Sequence, residues 1–336
     1  MARFLITGSA GFIGFHLSKK LLSDGHTVHG VDAITDYYDV QLKLDRNRLL
    51  EEYHSFSLSK CRLEDMDNLL KCADMAVPDV IVHLGAQAGV RYSLENPRAY
   101  IDTNVVGTFN IMEVARVPNI KHLLMASTSS TYGANPRLPY KETDNTDNPL
   151  TIYAASKKAN EVMAHSYSHL WNLPTTMFRF FTVYGPWGRP DMALFKFTKN
   201  ILSGEPIDVY NRGNMFRDFT YVEDLASAVA HLINVPPNSP AQRSNTIDND
   251  SLSPVAPYRI VNIGNSDKIR LMDFIEELEI RLGKKAIYNF MDMQAGDVPA
   301  TWANNELLRS LTGFRPNTSY REGIDAFVSW YQSYYT

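Results

Sequence analysis

A doubly wound α/β fold, a parallel sheet covered by helices on both faces with a smaller second lobe, is what this 336-residue sequence predicts. Three observations carry the expectation. The chain opens on a short apolar strand, Arg3–Thr7, that runs straight into Gly8-Ser9-Ala10-Gly11-Phe12-Ile13-Gly14 and a helix over about Phe12–Ser23. A second strand, His26–Asp32, ends in an acid roughly twenty residues beyond those glycines. Apolar strands and amphipathic helices then alternate at βαβ spacing as far as Phe180.

In the first unit, Gly8 permits the tight turn, Gly11 removes a side chain that would block a pyrophosphate, and Gly14 lets the helix close on the sheet. Dinucleotide phosphates then meet unpaired N–H groups at the helix start, around Phe12 and Ile13. Asp32 can accept from both hydroxyls of the adenosine ribose and repels a 2′-phosphate, so the expected cofactor is NAD rather than NADP.

The totals narrow the partners. Thirty-three Lys and Arg stand against 37 Asp and Glu, a net charge of −4, which gives no basic field for nucleic acid and no polybasic membrane patch. Cys61 and Cys72 are the only cysteines, wrongly spaced for a disulfide framework or a zinc site, so no metal is expected and a reducing compartment is. The first strand begins at once, leaving no room for a signal peptide, and no apolar run reaches membrane-span length. The expectation is a cytoplasmic protein of two lobes. Residues 1–181 bind NAD in a Rossmann arrangement, a segment around 216–234 returns to them, and residues 182–336 form mainly the substrate lobe.

After Asp32, the aromatic stretch Ala33–Asp39 precedes a charged helix over about Val40–Glu52 and is expected to cover the adenosine. Ser55–Leu58 alternates as a strand, Leu63–Met75 reads as a helix, and Pro78–Leu84 as a buried parallel strand. The small residues that come next lie at a strand's carboxyl end, where an open sheet keeps its ligands, so Leu84, Ala86 and Gln87 are expected on the cofactor. Arg91 fits a plain surface charge and a contact to an anionic substrate group equally well. Asn96–Arg116 reads as one helix, within which Asn104 either is an ordinary polar position or binds backbone near the site. Lys121–Ser127 is the next strand, running into Ser127-Thr128-Ser129-Ser130-Thr131-Tyr132-Gly133. Tyr153 and Lys157 lie one turn apart on a later helix, so an ammonium beside a phenol is expected to pull the phenol from about 10 towards neutrality.

Gly8-x-x-Gly11-x-x-Gly14, Ser127-Thr128-Ser129 and Tyr153-x-x-x-Lys157 resemble the extended short-chain dehydrogenase/reductase family over nearly the whole chain. The resemblance implies that Tyr153 is the catalytic base, that Lys157 also holds the nicotinamide ribose, and that Thr128 passes the proton. The stretch Phe181-Thr182-Val183-Tyr184-Gly185-Pro186-Trp187-Gly188-Arg189-Pro190-Asp191, with Gln87–Ser93 and Arg217–Val222, is similar to the nucleotide-sugar 4-epimerases that act on UDP-glucuronic acid. A hydroxyl and a guanidinium, Thr182 and Arg189, supply what a sugar carboxylate needs. The same likeness places Arg217 on the diphosphate, Asp297 on the uridine ribose and Ser129 on the substrate.

The activity this likeness implies is an NAD-dependent interconversion of UDP-glucuronic and UDP-galacturonic acid through a 4-keto sugar. The alternatives are an epimerase of UDP-glucose or UDP-N-acetylglucosamine, a UDP-glucuronate decarboxylase, or an NAD-sensing protein without catalysis. Ser129 and Ser130 stand where decarboxylases and dehydratases carry acids, which argues against those rivals. The resemblance implies a homodimer with the helices Asn96–Arg116 and Tyr153–Trp171 at a four-helix interface, although an apolar stripe on either could equally face the sheet. The sequence departs from the family in two places: the usual adenine-facing acid is missing near Lys60-Cys61-Arg62-Leu63, and Pro236–Pro257 reads as a long mobile surface loop.

Overall fold

Strand β1, Arg3–Thr7, shows why the sheet forms where it does. Phe4 and Ile6 point to one face and Leu5 to the other, and all three are fully or almost fully buried. The computed structural model describes residues 1–116, 120–242, 247–294 and 296–336 of the chain. In chain order come α1 Phe12–Ser23, β2 Thr27–Asp32, α2 Val40–Glu51, β3 Phe56–Lys60, α3 Met66–Ala76 and β4 Val80–His83. Two single turns come next, α4 Tyr92–Glu95 and α5 Pro97–Tyr100, then α6 Gly107–Arg116, β5 His122–Ala126, α7 Ile152–Trp171 and β6 Thr175–Phe180. These form a parallel sheet in the order β3-β2-β1-β4-β5-β6, extended beyond β6 by β11, Tyr258–Ile263. The strand order reverses between β1 and β4, the point where such sheets open a ligand crevice.

Two cores sandwich the sheet. Phe4, Ile6, Val82 and Phe178 pack against α1 and against α9, Val222–Ile233. Leu5, Ile81, Leu123 and Met177 pack against α3, α6 and α7. The second lobe has its own core, in which Phe195 and Ile201 from α8 (Ala193–Ser203) meet Phe274 and Leu278 from α10 (Leu271–Leu282) and Phe327 from α12 (Tyr320–Tyr335). Small sheets link the lobes: β7 Thr182–Tyr184 pairs in parallel with β10 Phe219–Tyr221, β9 Phe216–Arg217 lies between β12 Ile269–Arg270 and β14 Ala300–Thr301, and β8 Pro206–Val209 pairs in parallel with β13 Ile287–Phe290, while α11, Glu306–Thr312, packs into the first core. The chain therefore crosses between lobes more than once after residue 181. Both α9, which packs on α1, and β11 belong with the large parallel sheet.

Local chemistry sets the ends. Thr151 caps α7 by accepting from the Ala154 N–H, and Ser319 with Glu322 forms a full capping box on α12. Left-handed Asn172 closes α7.

Two expectations need correcting. Asn96–Arg116 is not one helix: Asn96 caps a new start at Pro97, and Ile101–Val106 is wound as a π-helix before α6 begins. The segment expected as a mobile loop is anchored over its later part. Asp250 makes a two-point ion pair with Arg259 at 2.9 and 3.0 Å, and His165 and His169 of α7 bond Ser253 and the Val255 carbonyl. Residues 243–246 of that loop lie outside the described residues.

Candidate active site

A cavity of about 640 Å³ opens at the carboxyl ends of β1, β2, β4 and β5. Its floor is the glycine turn. Gly8 has φ +73°, and a Cβ there would stand 2.8 Å from the Gly85 nitrogen. At Gly14 a Cβ would come within 2.0 Å of the Gly8 carbonyl oxygen, so α1 can approach the turn only through glycine. No side chain caps α1 at Gly11, which leaves its first N–H groups for an anion. Asp32 holds the far side of the turn, accepting from the Ala10 N–H at 3.0 Å and the Ile34 N–H at 2.8 Å. Gly8, Gly11, Phe12, Ile13, Gly14, Asp32, Leu84, Ala86 and Gln87 all line the cavity. A bare turn at a helix start with an acid beside it fits a dinucleotide.

Asn104, within the π-helical turns, does not face the cavity. It is fully buried and clamps Gln87 from both sides, accepting from its N–H at 2.8 Å and donating to its carbonyl at 3.0 Å, with a second donation to Ser156 Oγ at 3.0 Å. The wall beneath Gln87 is thereby fixed.

Thr128, Tyr153 and Lys157 share the middle of the cavity. Thr128 is held at the end of β5 and accepts from the Ser130 N–H at 3.2 Å. Lys157 is buried and donates to the Ala126 carbonyl at 3.0 Å, and burial lowers its pKa to about 8. Sequence spacing predicts a phenol pulled towards neutrality by this ammonium, and the structure overturns that. Burial in the cleft raises Tyr153 above its ordinary value, with the Thr128 hydrogen bond and the Arg189 charge only partly opposing it. The reason is shared desolvation: the same dry wall that penalises a phenolate also weakens the ammonium expected to favour it.

Arg189 lines the same cavity, and with Thr182 it borders a small apolar notch of about 40 Å³. Its guanidinium is not free. It donates from Nε and Nη2 to both oxygens of Asp191, at 3.0 and 2.5 Å, and Tyr37 donates to Asp191 at 3.4 Å. Burial pulls Arg189 down, but Asp191 holds it well above its usual value overall. The remaining expected residues lie outside the main cavity wall. Ser129 is half-buried beyond Thr128, on a short 3₁₀ turn. Exposed Arg91 lies 4.5 Å over the Tyr210 ring and 4.0 Å from Asp297, and Asp297 also acts on half-buried Arg217, whose pKa burial lowers. Arg91, Asp297 and Arg217 therefore form one group, which sequence alone leaves scattered.

Several cavity residues are not legible in the sequence. Glu64 lines the cavity, one residue past the stretch where an acid is missing, and accepts from Thr103 Oγ1 at 2.6 Å. Lys43 enters from α2, donating to the Thr35 carbonyl at 2.6 Å. A lysine on a charged helix gives no signal of burial, because the group that buries it lies in the loop before the helix. Among the described residues, no cluster of three or more His, Cys, Asp or Glu could hold a metal, and no helix is long and apolar enough to cross a membrane.

Residues 4–260 match the family model described as the NAD dependent epimerase/dehydratase family. A protein of Rhizobium meliloti named probable UDP-glucuronate 4-epimerase is 53% identical over 333 residues, covering 99% of this chain and 98% of its own. The UDP-glucuronate 4-epimerase 1 of Arabidopsis thaliana is 42% identical over 336 residues, covering 98% of this chain and 77% of its own. The crystal structure of UDP-glucuronic acid 4-epimerase from Bacillus cereus in complex with UDP-glucuronic acid and NAD superposes with a TM-score of 0.84 at 29% identity, over 99% of both chains.

Proposed function

The chain belongs to the NAD dependent epimerase/dehydratase family, and from that premise we propose that it inverts carbon 4 of UDP-glucuronic acid to give UDP-galacturonic acid through a 4-keto sugar. One observation carries the reading: a single cavity gathers the glycine turn with Asp32, then Thr128, Tyr153 and Lys157, then Arg189. NAD supplies the group that accepts hydrogen from carbon 4 and returns it. The protein's residues do the rest. Gly11, Phe12 and Ile13 offer backbone donors to the diphosphate, and Asp32 accepts from the ribose. Tyr153 exchanges the proton of the 4-hydroxyl, with the Thr128 hydroxyl beside it in the same cavity. Lys157, fixed on the Ala126 carbonyl in the same cavity, would hold the nicotinamide ribose.

Oxidation at carbon 4 of a glucuronate makes a β-keto acid, which loses carbon dioxide once its carboxylate bond aligns with the ketone. Arg189 and Thr182 keep the carboxylate charged and fixed, opposing that loss. Ser129 binds the sugar and, like Ser130, cannot serve as the acid a decarboxylase uses. Arg217 meets the diphosphate, Asp297 the uridine ribose, and Arg91 the outer anionic edge. NMR product analysis after incubation with UDP-glucuronic acid, UDP-glucose and UDP-N-acetylglucosamine tests the reading. Turnover of the neutral sugars alone, or release of a UDP-pentose as the main product, defeats it.

We also infer a homodimer in a reducing, cytoplasmic setting. Val106, Phe109, Val162, Leu170 and Trp171, on the π-turn, α6 and α7, are all more than 40% exposed, a surface fit for a four-helix interface. Both cysteines are free and buried, which suits a reducing compartment. Light scattering showing only monomer, unaltered by Val162→Glu, would remove the first inference, and recovery of the protein outside the cytoplasm on fractionation the second.

A further inference from the structure

Arg46 on α2 is fully buried, yet none of its hydrogen bonds reaches a carboxylate. Nη1 donates to the Ala10 carbonyl at 2.9 Å and to Tyr38 Oη at 2.8 Å, Nη2 donates to the Trp187 carbonyl at 2.6 Å, and Nε has no partner. A buried cation with only neutral partners is a costly arrangement for mere packing. Its two carbonyl acceptors have separate jobs. Ala10 is the centre of the glycine turn, and its own N–H is held by Asp32. Trp187 precedes Arg189 by two residues and has φ +60°, a left-handed conformation that is strained for tryptophan and persists only where its surroundings enforce it. The enforcement is visible: His16 of α1 bonds the Pro186 carbonyl at 2.9 Å, and the Trp187 ring packs within 5.6 Å of Phe15, Trp330 and Tyr334 by ring centroid.

We propose that Arg46 is a positioning residue that ties the cofactor turn to the loop presenting Arg189, so that cofactor retention and uronate recognition are set together. The substrate half rests on the function proposed above; the cofactor half does not. Displacing the Ala10 carbonyl loosens the turn around the diphosphate. Releasing the Trp187 carbonyl lets the strained loop relax and carries Arg189 out of register with Thr182.

The test uses purified full-length protein with Arg46→Lys, whose single ammonium cannot span both loops, each variant also placed in an Arg189→Gln background. NAD retained per chain after gel filtration is measured, with KM and kcat for UDP-glucuronic acid. Arg46→Lys is expected to lower retained NAD and to raise KM about tenfold, with kcat changing far less and with no further KM rise once Arg189 is gone. Full NAD retention with unchanged KM overturns the proposal, and so does an equal KM rise with and without Arg189. Should Arg46→Lys not fold, Tyr38→Phe removes one partner only, and the same two shifts, smaller, are required of it. A wild-type protein that leaves UDP-glucuronic acid untouched defeats the proposed function instead, and retained NAD then judges the Arg46 tie alone.

Discussion

Replacing Arg179 with methionine strips the partner from a buried carboxylate beside the strand that leads into Thr128. Arg179 and Glu161 are 1% and 2% exposed, joined by two hydrogen bonds of 2.8 Å each. Ser127, the residue before Thr128, donates to the same Glu161 oxygen at 2.6 Å, and the guanidinium lies 4.7 Å over the Tyr132 ring. Without Arg179, the nearest cation to Glu161 is Lys158 at 3.9 Å. Breaking a buried pair from one side costs about 3–5 kcal/mol, because the remaining charge stays buried and uncompensated. At roughly 2 °C per kcal/mol for a chain of this size, that is a fall in Tm on the order of 6–10 °C. Arg179→Met combined with Glu161→Leu is expected to recover most of it, since an apolar pair of similar volume is often neutral. Urea and thermal melts of the three variants check this, with kcat measured alongside because Ser127 sets the placement of Thr128. A single variant within about 1 kcal/mol of wild type, or a double variant worse than the sum of the singles, refutes the reasoning.

Tyr153→Phe is expected to cut turnover by 10²- to 10⁴-fold with NAD still bound, and activity retained above about a hundredth sinks the acid/base assignment. Lys157→Met, by contrast, should lose cofactor and rate together, which absorbance of bound NAD and initial rates report. Arg189→Ala or Thr182→Ala is expected to raise the share of UDP-pentose relative to epimer in the NMR product profile; an unchanged ratio at full affinity removes both from the carboxylate site. Burial lowers His16 to about 4, against the bond it makes to Pro186. The unfolded chain therefore takes up this proton first, so the His16 contribution to stability is complete above pH 6.5 and is lost as pH falls towards 4. His16→Gln should flatten the pH dependence of urea midpoints over that window, and an identical slope counts against the linkage.

Much of this molecule can be read from its residues, and the unread parts share a cause. The glycine turn, Asp32 and the buried strands arise from local requirements, and β1 and α1 fall on the residues expected of them. Asn96–Arg116 reads as one helix because an apolar stripe survives a π-turn, although Pro97 after a capping Asn marks the break. Lys43 and Arg46 give no sign of burial because α2 looks like a solvated helix. Their burial is imposed by Thr35, Ala10 and Trp187, the last 141 residues away. Tyr153 stands on the cavity wall, but spacing knows nothing of desolvation, and burial raises this phenol above its usual value. The Arg189–Asp191 pair is open to inspection as two charges in one loop; that they close on each other goes with the turn in which the Met192 N–H bonds the Arg189 carbonyl.

The pairing of β6 with β11 has a consequence for how the protein is made. As the chain leaves the ribosome, β6 is complete long before Tyr258–Ile263 is synthesised, so the nascent sheet exposes an apolar edge with unpaired N–H and C=O groups through all the intervening translation. Strand β5, which leads into Thr128, lies immediately inside that edge. A pause, truncation or premature stop before β11 therefore leaves a nascent chain that carries every glycine of the cofactor turn, and Tyr153 and Lys157 as well, yet has an open flank for chaperones or neighbouring nascent chains to engage.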